Sequence, residues 1–397
     1  MEFYLPTRYE CREIVKLSEA FYVTEREVNG FKVEMYDYRL ASIVDFRDNK
    51  AFELRGLTFV YNPDNGVWER NLLMEKFFNV NQTEGWMYGD LRDKKIVRVQ
   101  DKLDGSIISF VRFPDGVIRP KSKMSFESEQ ALMAKEIFLK NKCLRQFIVD
   151  CFTANLTPIF ELVSPFSQVV LEYSESELVL LQIRKEDGTY FDSKKMKIYA
   201  DNYCIGNSLP VSKDFDLKEL EKETDLLGEN NILGTLLWHK KNNTNNIEGW
   251  VITFEDGMKA KVKTDHYLQL HGLIGPDAFR ENLLIKTILD GNIDDVLGNL
   301  TPGPKKDRIL EIEKIVNKKF NHLVVEFKML RGEFYNKYNE NRKEFALDNR
   351  KHPLFGIVMK NLHGKMSEVE KIAENAITEY IRKQTNSLGN AREWLEE

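Results

Sequence analysis

The sequence predicts an α+β protein, with an antiparallel-sheet part over residues 1–275 followed by an all-helical part over 276–397. Three observations carry this. Between about residues 95 and 270, apolar and polar residues alternate in short runs broken by Asp-Gly turns, the period-two signature of antiparallel strands. Beyond about 275, Ile309, Ile312, Val316, Phe320, Leu323, Phe327, Leu330 and Phe334 recur at intervals of three and four, which marks one face of a long helix. Between the two regimes lie Gly272 and Gly275-Pro276, which suit neither pattern.

Two hairpins can be placed. Ile107–Phe113 turns through Pro114-Asp115-Gly116 into Val117–Lys123, and Trp250–Phe254 turns through Glu255-Asp256-Gly257 into Met258–Lys263. Alternation puts Met258, Ala260 and Val262 on one face of the second hairpin and Lys259, Lys261 and Lys263 on the other. The first hairpin is expected to line up Arg119, Lys121 and Lys123 in the same way. Ser125–Phe138 reads as a helix with Glu127 and Glu129 near its start. Pro302-Gly303-Pro304 suits the start of the long helix, and Ser367-x-x-Glu370 is a capping box ahead of Ile372, Ala376, Ile377 and Ile381.

A chain of 397 residues, 42% hydrophobic and 30% charged, has the composition of a soluble globular protein and can bury two cores. The start lacks the basic and apolar regions of a secretory signal, and no stretch approaches the ~20 apolar residues of a membrane span. A cytosolic location without membrane contact is the expectation. Cys11, Cys143, Cys151 and Cys204 are scattered, so neither a disulfide framework nor a zinc site is indicated, and His266 with His271 reads as structural. A net charge of −5 argues against a protein that coats nucleic acid, but leaves room for a local basic channel. Of the basic clusters, Lys194/Lys195/Lys197 and Lys240/Lys241 are read as solvated faces.

The residues with the most chemistry in them are Lys102-Leu103-Asp104-Gly105-Ser106. A lysine at the end of a strand, before a tight Asp-Gly turn, can attack the α-phosphorus of a nucleoside triphosphate and become a covalent nucleotidyl-enzyme. No Gly-x-x-x-x-Gly-Lys-Ser/Thr loop is present, so a P-loop cradle is excluded. Lysine attacks only as the free amine, which needs its pKa lowered from about 10.4 by desolvation and nearby cations. Lys261, Lys263 and a bound metal could supply that. Ser106 could cap the turn or touch phosphate. Glu161 lies in Ile-Phe-Glu-Leu-Val, where a carboxylate is costly without a partner, so it marks an ion pair or a ligand site. Glu248 is less constrained by burial, and Asp294 by itself reads as a helix cap or a surface acid.

These residues, taken in order, resemble the ATP-dependent RNA ligase 1 family of bacteriophages (T4 RNA ligase 1-like), within the covalent nucleotidyltransferase superfamily. The matching segments are Glu-Leu-Arg55-Gly, Met-Glu-Lys76-Phe-Phe-Asn, Lys-x-Asp-Gly-Ser, Lys121-Ser-Lys123, Phe-Glu161-Leu-Val, Ile-Glu248-Gly-Trp and Lys261-Val-Lys263, with Tyr36-Asp-Tyr38 upstream and Asp294-Asp295 downstream. The resemblance reaches His352-Pro-Leu-Phe-Gly in the tail and so covers most of the chain. Met124, where a glycine is expected, and Trp250, in place of a tyrosine, depart from it.

The resemblance implies that the chain joins 5′-phosphate and 3′-hydroxyl RNA ends in RNA repair, tRNA included, through a lysyl-adenylate and an RNA-adenylate. ATP and Mg²⁺ or Mn²⁺ would be the cofactors. Lys102 would take AMP, Glu161 would hold the ribose, and Glu248 would act near the lysine. Lys261 and Lys263 would contact the triphosphate, Lys263 nearest the α-phosphate. Arg55 and Lys76 would bind phosphates, Tyr36 would line the ATP pocket, Asp294 would hold the metal, and Lys123 would touch nucleotide or RNA. A monomer is expected, in the host cytoplasm if the chain is phage-encoded. A DNA ligase or a GTP-using capping enzyme of the same superfamily would need an OB-fold where helices are read. A non-catalytic nucleic-acid-binding module would not need the complete set of lysines and carboxylates.

Overall fold

The computed structural model describes residues 4–165, 174–202, 209–243, 247–270, 279–300, 302–363 and 368–396. The expected boundary at 275/276 and Ser367 of the expected capping box lie outside the described residues.

Among the described residues, twelve strands form three four-stranded sheets. The first is a meander of β1 (Phe21–Val28), β2 (Phe31–Tyr38), β3 (Leu57–Asn62) and β4 (Val67–Asn71). The strands that follow are β5 (Phe78–Asn79), β6 (Ile96–Lys102), β7 (Ser106–Arg112), β8 (Ile118–Lys121), β9 (Leu156–Val163), β10 (Glu177–Lys185), β11 (Gly249–Phe254) and β12 (Lys259–Lys263). They make a second sheet of order β5-β12-β11-β6 and a third of order β10-β9-β7-β8. Every pairing is antiparallel except β5 with β12. Consecutive strands β6 and β7 therefore enter different sheets. The short turn Leu103–Gly105 between them sits where those sheets diverge, which places Lys102 at the mouth of the gap.

Hydrophobic burial explains the arrangement. The first two sheets share a core that includes Phe21, Tyr36, Phe46, Leu57, Phe78, Trp250, Ala260 and Val262. The third packs Ile108, Phe110, Phe160 and Leu180 against Ala134, Phe147 and Ile148 of the helices Glu129–Lys140 and Lys142–Thr153. The first of these helices starts later than expected, because the Ser128 hydroxyl caps it by accepting from the Ala131 amide at 3.2 Å. Trp250 is a core residue of its sheet, and Met124 packs beside Val111 and Phe113.

After β12 the described residues are helical: Asp265–Leu270, Glu281–Leu289, Ile293–Gly298, Pro304–Asn336, Arg342–Asn349, Phe355–Lys360, Val369–Gln384 and Leu388–Glu396. Pro304 takes an early position in the 33-residue helix, where its missing N–H costs nothing, and the predicted apolar stripe faces a core of its own. Tyr267 and Leu268 already belong to that core, upstream of the expected boundary. Arg39, just past β2, ties this part to the first sheet through Glu370 at 3.0 Å and Glu374 at 3.5 Å. No helix among the described residues is long and apolar enough to cross a membrane.

The second hairpin buries Met258, Ala260 and Val262 as its alternation requires. In the first, the expected row of cations does not form. Lys121 is 1% exposed, and its amine donates to the carbonyls of Gly56, Ser122 and Lys123 at 3.0, 3.2 and 2.9 Å. Arg119 folds back on Asp115 at 2.7 Å and lies over the Phe113 ring.

Candidate active site

The second sheet sets the geometry. Its register places Gly249 opposite Lys102 on one side and Lys263 on the other, and Val251 opposite Gln100 and Lys261. Side chains two apart share a face, so β12 and β6 present Lys261, Gln100 and Lys102 to one cavity. Gly249 has φ 151°, and a Cβ there would lie 1.9 Å from the Val262 carbonyl oxygen, so only glycine lets the strands meet at this level. Gly105 is equally constrained, since a Cβ would lie 2.4 Å from the Leu162 carbonyl oxygen. That close approach seats the turn after Lys102 against β9, beside Glu161. Asp104, buried in the same turn, accepts from the Tyr267 hydroxyl at 3.1 Å and so anchors it to the first helix after β12.

Charges alternate across the floor of the site. The Lys102 amine lies 2.6 Å from Glu248 Oε1, that same oxygen lies 3.0 Å from Lys263 Nζ, and Lys263 also donates to Asp295 Oδ2 at 3.0 Å. Burial works against the charge on Lys263, but Asp295 and Glu248 outweigh it and hold the pKa above its ordinary value. Asp295 in turn accepts from Asn79 at 3.2 Å.

The cavity in front of this floor has a volume of about 380 Å³, and Arg55, Lys76, Lys102, Glu161, Lys261 and Asp294 all line it. Burial pushes the Lys261 amine down to about 8, against the pull of Asp295 and Asp294. Lys76 donates to Asp294 Oδ2 at 3.0 Å, and Gln82 donates to Asp294 Oδ1 at 2.7 Å. Arg55 reaches the Met74 carbonyl at 3.2 Å. Burial pushes Glu161 up to about 8, with Lys102 pulling the other way, and no described residue hydrogen-bonds its carboxylate. Burial would raise Tyr38 as well, yet Lys76, Lys123 and Arg55 bring its pKa below the ordinary value, a sign of a strongly positive local field. Cations converging on a cavity of this kind, with a lysine at its mouth, suit a polyphosphate and a covalent nucleotidyl intermediate.

Most of the residues named from sequence meet here, in two layers. Lys102, Glu161, Arg55, Lys76, Lys261 and Asp294 line the cavity, while Glu248 and Lys263 lie behind Lys102. Tyr36 is elsewhere: it is fully buried, packs on Phe59, and donates to Glu34 at 2.6 Å. Tyr38, two residues along the same strand face and at the strand's end, is the tyrosine at the cavity. Lys123 pairs with Asp37 at 2.8 Å over the Tyr38 ring. Sequence reasoning missed Tyr38, although Tyr36-Asp-Tyr38 contained the signal. Lys259, placed by alternation on the face of Lys261, does line the cavity, with its amine buried against Glu75 at 2.8 Å.

Fold and site together define a covalent nucleotidyltransferase. The family model described as RNA ligase, of the T4 RNA ligase 1 type, matches residues 53–267, and the chain belongs to that family. A Thermovibrio ammonificans protein that carries a provisional RNA ligase name is 24% identical over 311 residues, which is 76% of this chain and 75% of that protein. Among solved structures, an archaeal ATP-dependent RNA ligase is 12% identical with a TM-score of 0.45, covering 77% of this chain and 75% of that one. A Naegleria gruberi RNA ligase variant with AMP and Mn is 16% identical with a TM-score of 0.37, covering 51% and 58%.

Proposed function

We propose that this RNA ligase uses ATP to join a 5′-phosphate RNA end to a 3′-hydroxyl end, with Lys102 as the nucleophile. The observation that carries the reading is the Lys102 amine, 2.6 Å from Glu248 at the mouth of a cavity lined by Arg55, Lys76 and Lys261. The free amine attacks the α-phosphorus, a P–N bond forms, the bond to the bridging oxygen of the β-phosphate breaks, and pyrophosphate leaves. Glu248 is within reach of the proton the amine must lose. Next an oxygen of the RNA 5′-phosphate displaces Lys102 from AMP, making a 5′–5′ pyrophosphate linkage and returning the lysine. The 3′-hydroxyl then attacks the RNA 5′-phosphate, the phosphodiester forms, and AMP leaves.

Arg55, Lys76 and Lys261 are suited to neutralise the charge that builds on the leaving pyrophosphate. Glu161 has no hydrogen-bonding partner among the described residues and gains one if it holds a ribose hydroxyl. A divalent cation fits the donor set. Both Asp294 oxygens already accept a hydrogen bond, yet each carboxylate oxygen keeps a second lone pair. Mg²⁺ commonly takes one or two protein carboxylates and completes its shell with substrate phosphates and water. Asp294 would hold Mg²⁺ or Mn²⁺ and the ion would neutralise triphosphate charge. RNA repair, with broken tRNA loops as candidate substrates, is the setting we propose, and the helices from Pro304 onward, which carry none of the proposed site residues, are the part we assign to selecting among RNAs.

The test uses a 5′-labelled RNA oligonucleotide with a 3′-hydroxyl, ATP and a divalent cation. Sealed RNA with a transient species one AMP heavier is the expected result. Sealing without that species, or equal sealing of a DNA oligonucleotide of the same sequence, overturns the proposal.

A further inference from the structure

Two of the cations at the cavity follow carboxylates in the sequence: Glu53-Leu54-Arg55 and Glu75-Lys76. Neither carboxylate faces the site. Both turn inward to Arg184, on β10 of the third sheet, whose side chain is wholly buried. Its guanidinium grips Glu53 through two parallel bonds, Nη1 to Oε2 at 2.7 Å and Nη2 to Oε1 at 2.5 Å. Nη1 also donates to the Leu73 carbonyl, Nε donates to the Gly188 carbonyl at 3.0 Å, and Glu75 Oε2 lies 3.8 Å from Nη2.

The cluster extends to the floor of the cavity. Glu75 accepts from Lys259 at 2.8 Å and from the Tyr190 hydroxyl, while Lys259 lies over the Tyr190 ring. Lys259 shares the face of β12 with Lys261 and lines the cavity. The two gripped segments also hold each other, since the Lys76 amide donates to the Phe52 carbonyl at 2.8 Å and Arg55 to the Met74 carbonyl at 3.2 Å. A buried fork on one sheet thus fixes the backbone on which two cations of another wall are mounted, and through Glu75 it reaches β12 as well.

We infer that Arg184 is a positioning residue for nucleotide binding. It sets the distance between the wall carrying Arg55 and Lys76 and the strand carrying Lys261, so that all three converge on one triphosphate. Five charged or hydroxyl side chains from four segments are taken out of water to build this cluster, a cost that well-packed apolar residues would avoid. Arginine suits the role because its planar fork fixes direction as well as charge, which lysine cannot do. The inference rests on the proposed ATP reading of the cavity.

The test measures KM for ATP and the maximal rate of enzyme–AMP formation in full-length variants, with melting temperature measured alongside. Arg184→Lys keeps the charge and loses the fork. The pair Glu53→Gln with Arg184→Met removes both charges at similar volume, so it restores much of the stability that a single charge deletion loses. Tyr190→Phe removes one hydroxyl and keeps the fold. Misplaced cations raise KM by roughly tenfold to a hundredfold in the first two, and by a few-fold in Tyr190→Phe. The charge-free pair keeps its raised KM even where its melting temperature recovers. Wild-type KM in the folded variants, with only the melting temperature altered, overturns the inference and leaves Arg184 a structural residue. Failure of wild-type protein to take up AMP from ATP would instead overturn the ATP reading.

Discussion

Replacing Glu161 by glutamine is expected to stabilise the free enzyme at alkaline pH while crippling it. Burial raises the pKa of this carboxyl from its ordinary 4.5 to about 8, with Lys102 as the opposing influence and Glu248 adding to the rise. A carboxyl held neutral in the folded state binds a proton that the unfolded chain has already released. Stability therefore falls as pH rises from about 4.5 to 8, and the full cost is present above 8. At complete burial a shift of that size corresponds to ~5 kcal/mol. Glu161 keeps some exposure, so about half of that, ~2–3 kcal/mol, is the working figure. Glutamine carries no charge at any pH. The variant should match the wild type near pH 5 and exceed it by ~2–3 kcal/mol near pH 9, read from denaturant unfolding at the two pH values. Its rate of enzyme–AMP formation should fall by on the order of a hundredfold, because the amide keeps one acceptor oxygen but cannot become the charged carboxylate whose stronger hydrogen bond would hold the ribose hydroxyl. An equal or lower stability at pH 9 would refute the claim that the site holds this carboxylate at a cost, and unchanged labelling would refute its role.

Lys263→Ala should lose most adenylate formation and lower stability by ~3 kcal/mol or more, because it takes a partner from the buried carboxylates of Glu248 and Asp295, and Val262→Asp should cost several kcal/mol by burying an unpaired charge; a Val262→Asp variant that melts like the wild type would mean that the facing of β12 is misassigned. Gly249→Ala forces a Cβ to within 1.9 Å of the Val262 carbonyl at a backbone conformation few residues adopt, so a loss of ~3 kcal/mol or more and at least tenfold slower labelling are expected. Wild-type unfolding of that variant would remove the close strand contact from the account. Lys76→Met should raise KM for ATP and, by freeing Asp294 from its ion pair, alter the concentration of Mg²⁺ needed for labelling; an unchanged Mg²⁺ requirement would separate the two residues.

The second hairpin and the long helix were legible because local rules decide them. Alternation alone sends Met258, Ala260 and Val262 inward, and one apolar stripe alone turns Pro304–Asn336 toward its core. The row Arg119, Lys121, Lys123 obeyed the same alternation and failed, because the carbonyl that captures the Lys121 amine belongs to Gly56, 65 residues away. Distance in sequence also hid the Arg184 cluster, since Glu53 lies 131 residues from the guanidinium that holds it. At the site, the candidate residues came from motif order, and that order carries no information about depth. It cannot tell Tyr36, deep in the sheet, from Tyr38 at its end, nor Lys263, behind the nucleophile, from Lys261 beside it. Asp294 stood out in the motif, while its bonds to Lys76 and Gln82 depend on a helix docking against the turn after β5.

The most direct test of the account is incubation of the enzyme with ATP labelled at the α-phosphate, in parallel with GTP labelled in the same way, followed by denaturing electrophoresis. Label from ATP should travel with the wild-type polypeptide, be discharged by pyrophosphate, and vanish in Lys102→Ala while that variant melts as the wild type does. Label that persists in Lys102→Ala, or that enters from GTP and not from ATP, would contradict the assignment of Lys102 as the residue that carries AMP.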